Sequence, residues 1–359
     1  MTMRIVVAMS GGVDSSVAAA LLSEQGHEVI GVSMQLYDNS GGTTDAGRSY
    51  GTCCTIDDLH DARRVAATLG IPHYILNMES QFDDAVVSNF VREYVSGRTP
   101  IPCAHCNSEM KFAALLDRAV GLGAGALATG HYARITRDES GRYHLRRGLD
   151  HAKDQSYFLF SLTQAQMAQA IFPIGHLDKP TVRDHARRLG LRVAEKPDSQ
   201  EICFVPDNDY AAFVEREAPE LTRAGAIVAQ DGRVLGAHEG VHRYTIGQRK
   251  GLRLSSSAPL FVLAIDAATA RVTVGPKDAL GRPALSASGV NWISGIAPTD
   301  WIAAAAQIRH RHTPASGKVR VVDGTRAEFV FDEPQAAVTP GQAVVFYDGE
   351  EVLGGGWID

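Results

Sequence analysis

Two groups of residues in this 359-residue chain have the types and spacing to do chemistry. The first is the run Ala8-Met9-Ser10-Gly11-Gly12-Val13-Asp14-Ser15-Ser16. Adjacent glycines let backbone approach a ligand closely, and a helix starting there turns free N–H groups and a positive dipole end toward an anion. Ser10, Ser15 and Ser16 add hydroxyl donors, and Asp14 is placed to hold a magnesium ion or to cap the helix. The run lacks the Gly-Lys-Ser/Thr ending of a Walker A loop, so γ-phosphate transfer is not implied. A Gly-Gly pair by itself reads equally as a plain strand–helix turn.

The second group is three thiols: Cys103 and Cys106 in Pro102-Cys103-Ala104-His105-Cys106-Asn107, and Cys203 between Ile202 and Phe204. A zinc site would want a second ligand pair at finger-like spacing, and none is present. Cys106 precedes a helix expected to begin at Asn107. The dipole there would lower its pKa from about 8.5 and make it a nucleophile near neutral pH. Cys203 in isolation reads as an inert buried thiol. Cys53 and Cys54 lie in the Gly-, Ser-, Thr- and Asp-rich stretch 37–55, which reads as a mobile loop, and are taken as bystanders.

The elements that must position these groups are legible as patterns. Residues 4–9 read as a buried strand, 15–25 as a helix ended by Gly26, and 29–34 as a strand covered on both faces. Leu59, Ala62, Val65, Ala66 and Leu69 form a helical stripe closed by Gly70, with a strand at 73–76 following. A helix at 111–120 and a strand at 126–129 continue the alternation. Repeated βα units predict an α/β fold with an open, mostly parallel sheet. They place the glycine run between the first strand and first helix. Met34, at the end of the second strand, lies where such a sheet meets an adenine, although a core role suits it as well.

Beyond about residue 206, Gly232, Gly236, Gly240, Gly247 and Gly251 punctuate a small linking domain. From about 281, β-rich runs at 318–322, 327–331 and 343–347 are separated by Asp323-Gly324 and Asp348-Gly349, predicting a small antiparallel β-barrel. The expected parts are therefore 1–205, 206–280 and 281–359.

Thirty-five Lys+Arg against 41 Asp+Glu give a net charge of −6, and 45% hydrophobic with 21% charged residues is a globular balance. No apolar stretch approaches the roughly 20 residues of a membrane span. The strand beginning at Arg4 leaves no room for a signal peptide, and five cysteines make no disulfide scaffold. A cytoplasmic setting is expected. The acidic balance lacks the overall signature of nucleic-acid binding but allows local basic patches. Arg309-His310-Arg311-His312, His242-Arg243 and Arg249-Lys250 are candidates, each equally readable as a solvated face.

With strand before and helix after, Ser10-Gly11-Gly12-Val13-Asp14-Ser15 resembles the SGGxDS PP-loop of ATP pyrophosphatases, which adenylate an oxygen and release pyrophosphate. Nearly end to end, the chain is similar to the tRNA-specific 2-thiouridylase (MnmA) family. The resemblance is carried by residues 54–74, Cys106-Asn107 with Lys111-Phe112, 128–132, Lys153-Asp154-Gln155-Ser156-Tyr157-Phe158, Asp198-Ser199 with Ile202-Cys203-Phe204, and 247–252. It closes with Phe331, 339–342, Phe346-Tyr347 and Gly354-Gly355-Gly356.

The resemblance implies a PP-loop adenine nucleotide α-hydrolase-like sheet, a small central tRNA-contacting domain and a C-terminal barrel. It implies ATP-dependent thiolation of the wobble uridine of lysine, glutamate and glutamine tRNAs. Adenylation of O2 is followed by sulfur delivery from a persulfide on Cys203, with Cys106 attacking the persulfide or closing a disulfide. By the same resemblance Ala8, Met9, Ser10, Gly11, Gly12, Val13, Asp14, Ser15, Met34 and Gly130 bind ATP, with Mg2+ and Asp14 in the chemistry. Ile101, Pro102 and Cys103 face the target base. His131, Lys153, Asp154, Gln155, Arg309, His310 and Gln342 contact the tRNA anticodon stem-loop. An upstream sulfur-donor or relay protein and a monomer bound to one tRNA are implied as well.

One departure matters. Many members carry an acidic residue, assigned acid/base work, where this chain has Cys103. A third thiol beside the other two raises the alternative of a [4Fe-4S] cluster on Cys103, Cys106 and Cys203 with one open iron. Two rival functions are another PP-loop ligase, needing neither Cys106 nor Cys203, and a non-catalytic tRNA-binding protein that keeps ATP as a structural ligand.

Overall fold

The computed structural model describes residues 2–37, 56–198, 202–205, 209–219 and 222–359. The expected loop at 37–55, apart from Tyr37, and with it Cys53 and Cys54, lies outside the described residues.

Strands β1 (Arg4–Ala8), β2 (Glu28–Gln35), β3 (His73–Asn77) and β4 (Ala126–Ala128) are all parallel, with β1 between β2 and β4. Period-two alternation in β1 sends Ile5 and Val7 to one core and Val6 to the other. Against Ile5 and Val7 pack α1 (Val13–Glu24), α2 (Ile56–Leu69) and α3 (Lys179–Arg188), through Val17, Ala18, Ala62, Val65, Val182 and Ala186. Against Val6 and Val32 pack Phe82, Phe90, Met110 and Phe112 from the opposite layer. The apolar continuity of the second strand thus reflects burial on both faces.

After β4 the chain forms an antiparallel hairpin, β5 (Ala133–Arg137) with β6 (Tyr143–Arg147), then returns as β7 (Ala170–Ile171) at the sheet edge. The parallel sheet reads β3-β2-β1-β4-β7. A four-stranded sheet follows: β8 (Gly225–Ala229), β9 (Val234–His238), β10 (Phe261–Asp266) and β11 (Arg271–Gly275), in the order β10-β11-β8-β9.

The C-terminal strands are β12 (Gly281–Trp292), β13 (Ile302–Gln307), β14 (Ala315–Asp323), β15 (Arg326–Ala336), β16 (Ala343–Asp348) and β17 (Glu351–Ile358). They pair antiparallel in the spatial order β12-β15-β14-β13-β16-β17, and β17 pairs back onto β12, closing a six-stranded barrel and removing its edges. The β5–β6 hairpin joins this sheet through Val352↔Leu145. Sequence patterning did not anticipate that the first part of the chain would lend two strands to the last. Among the described residues no helix is long and apolar enough to cross a membrane.

Candidate nucleotide and thiol site

The chain leaves β1 toward β2 on one side and toward β4 on the other. This topological switch opens a crevice at the strands' carboxyl ends, where open α/β sheets bind ligands. The glycine run occupies it. Gly11 has φ +73°, and a Cβ there would come within 2.2 Å of the Asp58 carbonyl oxygen, so α2 closes directly on the loop. Gly130, just beyond β4, approaches from the other side: its Cβ would lie 2.5 Å from the Ser15 backbone nitrogen. Ser10 N–H donates to Ser15 Oγ at 3.2 Å, while Ser15 and Ser16 hydroxyls donate to the Gly12 carbonyl at 3.2 and 2.8 Å. Ala8 ends β1; Met9 and Val13 are buried and anchor the loop in the core; Met34 is buried near the end of β2.

Gly12 caps α1 without any side-chain bond, so Asp14 is not the helix cap. Both its oxygens instead accept from Lys179 Nζ at 2.9 Å, and Tyr132 Oη donates to it at 2.8 Å. Lys179, with its side chain only 9% exposed, also pairs with Asp198 at 2.6 Å, and Asp198 takes Lys153 at 2.7 Å and Arg183 at 3.6 Å. Burial raises the Asp198 pKa, but Lys153 and Lys179 outweigh it and hold the carboxyl below its usual range. Lys196 sits behind the loop, donating to the Gly11 carbonyl at 3.0 Å and to Asp58 and Asp61 at 2.7 and 2.6 Å. Lys179 and Lys196 escaped the sequence reading because nothing local marks lysines whose loop partners, Asp14 and Gly11, lie 165 and 185 residues away.

A magnesium ion shared with phosphates needs one or two carboxylates. Asp14 is the loop's carboxylate, and Lys179 engages both its oxygens. Among the described residues no three His, Cys, Asp or Glu side chains are grouped to hold a metal. The three cysteines as arranged therefore do not fit a metal cluster, while Asp14 is the carboxylate that would share a magnesium ion with bound phosphates, and no step is routed through either.

The helix expected at 111–120 begins instead at Pro102. It runs as Pro102–His105, π-helical turns over Cys106–Leu115, and Leu116–Gly121. Proline at the first helical position favours this start, because its fixed φ suits a helix and its missing N–H is not needed there. Cys106 thus lies a full turn inside the helix rather than before it. Since the dipole effect fades within the first turn, the expected activation of Cys106 by a helix N-terminus does not hold. Cys103, exposed, occupies that first turn.

Cys106 and Cys203 are both half-buried and pack against the same hydrophobic core. Next to Cys203, the Phe204 ring lies 5.5 Å from Phe82, 5.1 Å from Phe90 and 5.3 Å from Phe213. The Phe82 turn in turn packs on the helix carrying Cys106. The apolar residues flanking Cys203, which by themselves suggested an inert thiol, are the anchor that holds it at the core's edge. Phe204→Ala should cost about 3–5 kcal/mol of unfolding free energy in a urea titration, as full truncation of a buried aromatic does.

The barrel braces the segment before the thiols. Gln342 Nε2 donates to the Thr99 carbonyl at 3.0 Å, Thr99 N–H donates to Pro340 at 2.9 Å, and Arg98 donates to the Ile358 carbonyl at 2.9 Å. Ile101 and Pro102 are buried as a result. The His105 ring lies parallel on Trp357, centroids 4.2 Å apart, and burial lowers its pKa. Gln342→Ala removes one such bond, worth about 0.5–1.5 kcal/mol. The expected outcome is up to about a tenfold fall in turnover with RNA and an unchanged ATP affinity in a displacement titration.

The expected RNA-contacting residues divide into two sets. His131 is buried, bonded to Thr129 Oγ1 at 2.7 Å and held well below its ordinary pKa by burial. Asp154 accepts from Arg147 at 2.7 Å, from Gly148 N–H at 3.0 Å and from Ser156 Oγ at 2.9 Å. Gln155 Oε1 accepts from Tyr132 N–H at 3.0 Å, and Lys153 sits on Asp198. These four are engaged within the protein. Arg309, His310 and Arg311 are exposed on the barrel, with Arg311 at φ +61°. The His310 ring lies 4.9 Å from that of Phe158, whose carbonyl accepts from Asn107, the neighbour of Cys106. Arg249 and Lys250 are exposed too. His242 and Arg243 are not a basic patch: His242 is buried, and both pair with Glu215 at 2.9 and 2.5 Å.

A glycine-rich loop at the switch point of a five-stranded parallel sheet, two half-buried thiols against one core and a closed barrel define an α/β enzyme of the HUP class. Residues 3–207 match the tRNA methyl transferase HUP domain, 211–276 the tRNA methyl transferase PRC-barrel domain, and 282–358 the aminomethyltransferase beta-barrel domain. The chain is 56% identical over 356 residues to the tRNA-specific 2-thiouridylase MnmA of Geotalea uraniireducens (strain Rf4), covering 99% of this chain and 95% of that protein. It is 57% identical to that of Geobacter metallireducens (strain ATCC 53774 / DSM 7210 / GS-15), with 99% and 96% covered, and 53% identical to that of Solibacter usitatus (strain Ellin6076), with 99% of both covered. The chain belongs to the tRNA-specific 2-thiouridylase family, a family of tRNA-modifying transferases.

Proposed function

We propose that this enzyme uses ATP to replace O2 of the wobble uridine in lysine, glutamate and glutamine tRNAs with sulfur. The observation carrying this reading is the pairing of the phosphate loop with two half-buried thiols from segments 97 positions apart, both against one core. An acyl-adenylate ligase has no use for the second feature, and a passive RNA binder has no use for either.

In the first step O2 attacks the α-phosphorus, the bond to the β-phosphoryl oxygen breaks, pyrophosphate leaves with the electron pair, and the uracil N3 proton passes to solvent. Loop N–H groups and serine hydroxyls stabilise charge on the α-phosphate. Uridine O2, a poor leaving group, thereby becomes part of AMP. In the second step the terminal sulfur of a Cys203 persulfide, loaded by a sulfur-donor protein, attacks C2 and AMP departs. The Cys106 thiolate then attacks Cys203 Sγ. The S–S bond to the base breaks, 2-thiouridine is released, and a Cys106–Cys203 disulfide remains for an external thiol to reduce. In the alternative order, Cys106 attacks the persulfide first and releases hydrosulfide, which attacks C2.

Ala8–Ser15 with Met34 and Gly130 bind ATP, Ile101–Cys103 face the base, and Arg309 and His310 lead the RNA contacts. Catalysis lies in residues 1–205, while 206–280 and 281–359 hold the RNA, in a cytoplasmic monomer. The test is incubation of anaerobically purified protein with ATP, magnesium, a persulfide donor and unmodified glutamate tRNA, followed by nucleoside mass spectrometry. Formation of 2-thiouridine with one AMP per sulfur supports the reading. Pyrophosphate release without thiolation would overturn the sulfur route, and neither product would overturn the whole. A Cys103→Asp variant that keeps activity would exclude an obligatory three-cysteine cluster.

A further inference from the structure

The residues around Asp14 do more than balance its charge. Lys179 opens α3, on the far side of the loop from α2, and its ammonium is shared between one carboxylate inside the phosphate loop and a second, Asp198, five residues before Cys203. Arg183, one turn further along α3, and Lys153, from a separate segment, also approach Asp198. Lys179 thus stands at the mouth of the phosphate loop, bridging two carboxylates, one of which, Asp198, has Lys153 and Arg183 as further partners.

The loop amides and the start of α1 suit the α-phosphate, but a loop of the form Ser-Gly-Gly-Val-Asp-Ser carries no cation of its own for the leaving group. A lysine ammonium is a compact charge with three movable donors, suited to phosphate oxygens as well as to carboxylates. A buried ion pair of this kind is weak evidence for a stabilising role alone, because desolvation consumes most of its attraction.

We propose that Lys179 is a ligand of the pyrophosphate leaving group, parked on Asp14 and Asp198 until a triphosphate occupies the loop. As the bond between the α-phosphorus and the bridging oxygen breaks, the electron pair stays on the departing pyrophosphate. The Lys179 side chain stabilises the charge that appears there. Its transfer leaves Asp198 to Lys153 and Arg183. The inference rests on the adenylating function proposed above.

The test uses the full chain as wild type, Lys179→Met, Lys179→Arg and the double variant Lys179→Met/Asp198→Asn, which keeps the cluster's charge balance. Inorganic pyrophosphate and AMP are titrated separately by calorimetry with magnesium present, and tRNA-dependent pyrophosphate release is timed. Lys179→Met is expected to weaken pyrophosphate binding about tenfold or more, the loss of a charge-assisted hydrogen bond, while AMP affinity stays within about threefold. Turnover falls by about 100-fold, Lys179→Arg recovers part of both, and the double variant stays deficient. Unchanged pyrophosphate affinity in Lys179→Met would overturn the proposal. So would a parallel loss of AMP and pyrophosphate, or recovery in the double variant, since either reduces Lys179 to charge balance. Wild type binding neither ligand would instead overturn the adenylating function itself.

Discussion

Cys203→Ser is expected to bind ATP and tRNA as wild type does, to release pyrophosphate in the presence of tRNA, and to form no 2-thiouridine. A hydroxyl cannot carry a persulfide, so the loss is of the sulfur carrier itself. The residual rate should lie at least about 1,000-fold below wild type, roughly 4 kcal/mol or more of lost transition-state stabilisation. The fold should survive, because the anchor at this position is Phe204 rather than the thiol, and serine differs from cysteine by one atom. Cys106→Ser should be equally inactive in multiple turnover, and under the disulfide route it should trap a base-linked Cys203 adduct visible by intact mass. Because the proposed mechanism has both thiols act on one sulfur, the double variant should be no worse than either single one. Thiolation by either variant at more than a few per cent of wild type would sink the two-thiol mechanism.

Gly130→Ala is expected to remove ATP binding with the thiols untouched. The added Cβ would stand 2.5 Å from the Ser15 backbone nitrogen and 2.6 Å from the Asp14 carbonyl carbon, so either the turn after β4 or the phosphate loop must retreat. Backbone here is held on both sides, by Lys196 and Asp58 at Gly11 and by the β1–β4 pairing beneath. Overpacking of this kind costs about 1–3 kcal/mol in stability. Displacement of the loop amides by even 1 Å forfeits their aim at the phosphate, for which a loss of about 100-fold in ATP affinity is expected. A fluorescent-nucleotide titration beside a thermal melt separates the two effects. Wild-type affinity in a folded Gly130→Ala protein would show that this contact does not shape the nucleotide site.

Much of this molecule was legible before any coordinates. The parallel sheet, the phosphate loop between β1 and α1, and the β-rich C-terminal part follow from periodicities of two and 3.6 and from glycine placement, which are local properties of the chain. Where reading failed, it failed on boundaries and partners. The helix carrying Cys106, expected at 111–120, begins nine residues earlier, at the proline that starts it. Asp14 was offered as a helix cap, a role Gly12 takes, because its partner, Lys179, is 165 residues away. His242-Arg243 looked like a basic patch because nothing in the sequence places Glu215 beside both.

By itself, then, the sequence determined which chemical groups exist and which elements carry them: a loop able to cradle phosphate, three thiols, and strands and helices of definite period. Tertiary structure alone decided which groups meet. It brought α2 and the turn at Gly130 onto the loop and set Lys179 between two carboxylates. It seated Cys106 and Cys203 against one core, and made the barrel's Gln342 and Trp357 brace the segment around Cys103 and His105. The reason is physical. Local conformation is governed by each residue's own sterics and by neighbours a few positions away. Contacts across 100 or 200 residues are selected by burial, charge pairing and hydrogen-bond satisfaction in the assembled core, and these leave no periodic trace in the chain.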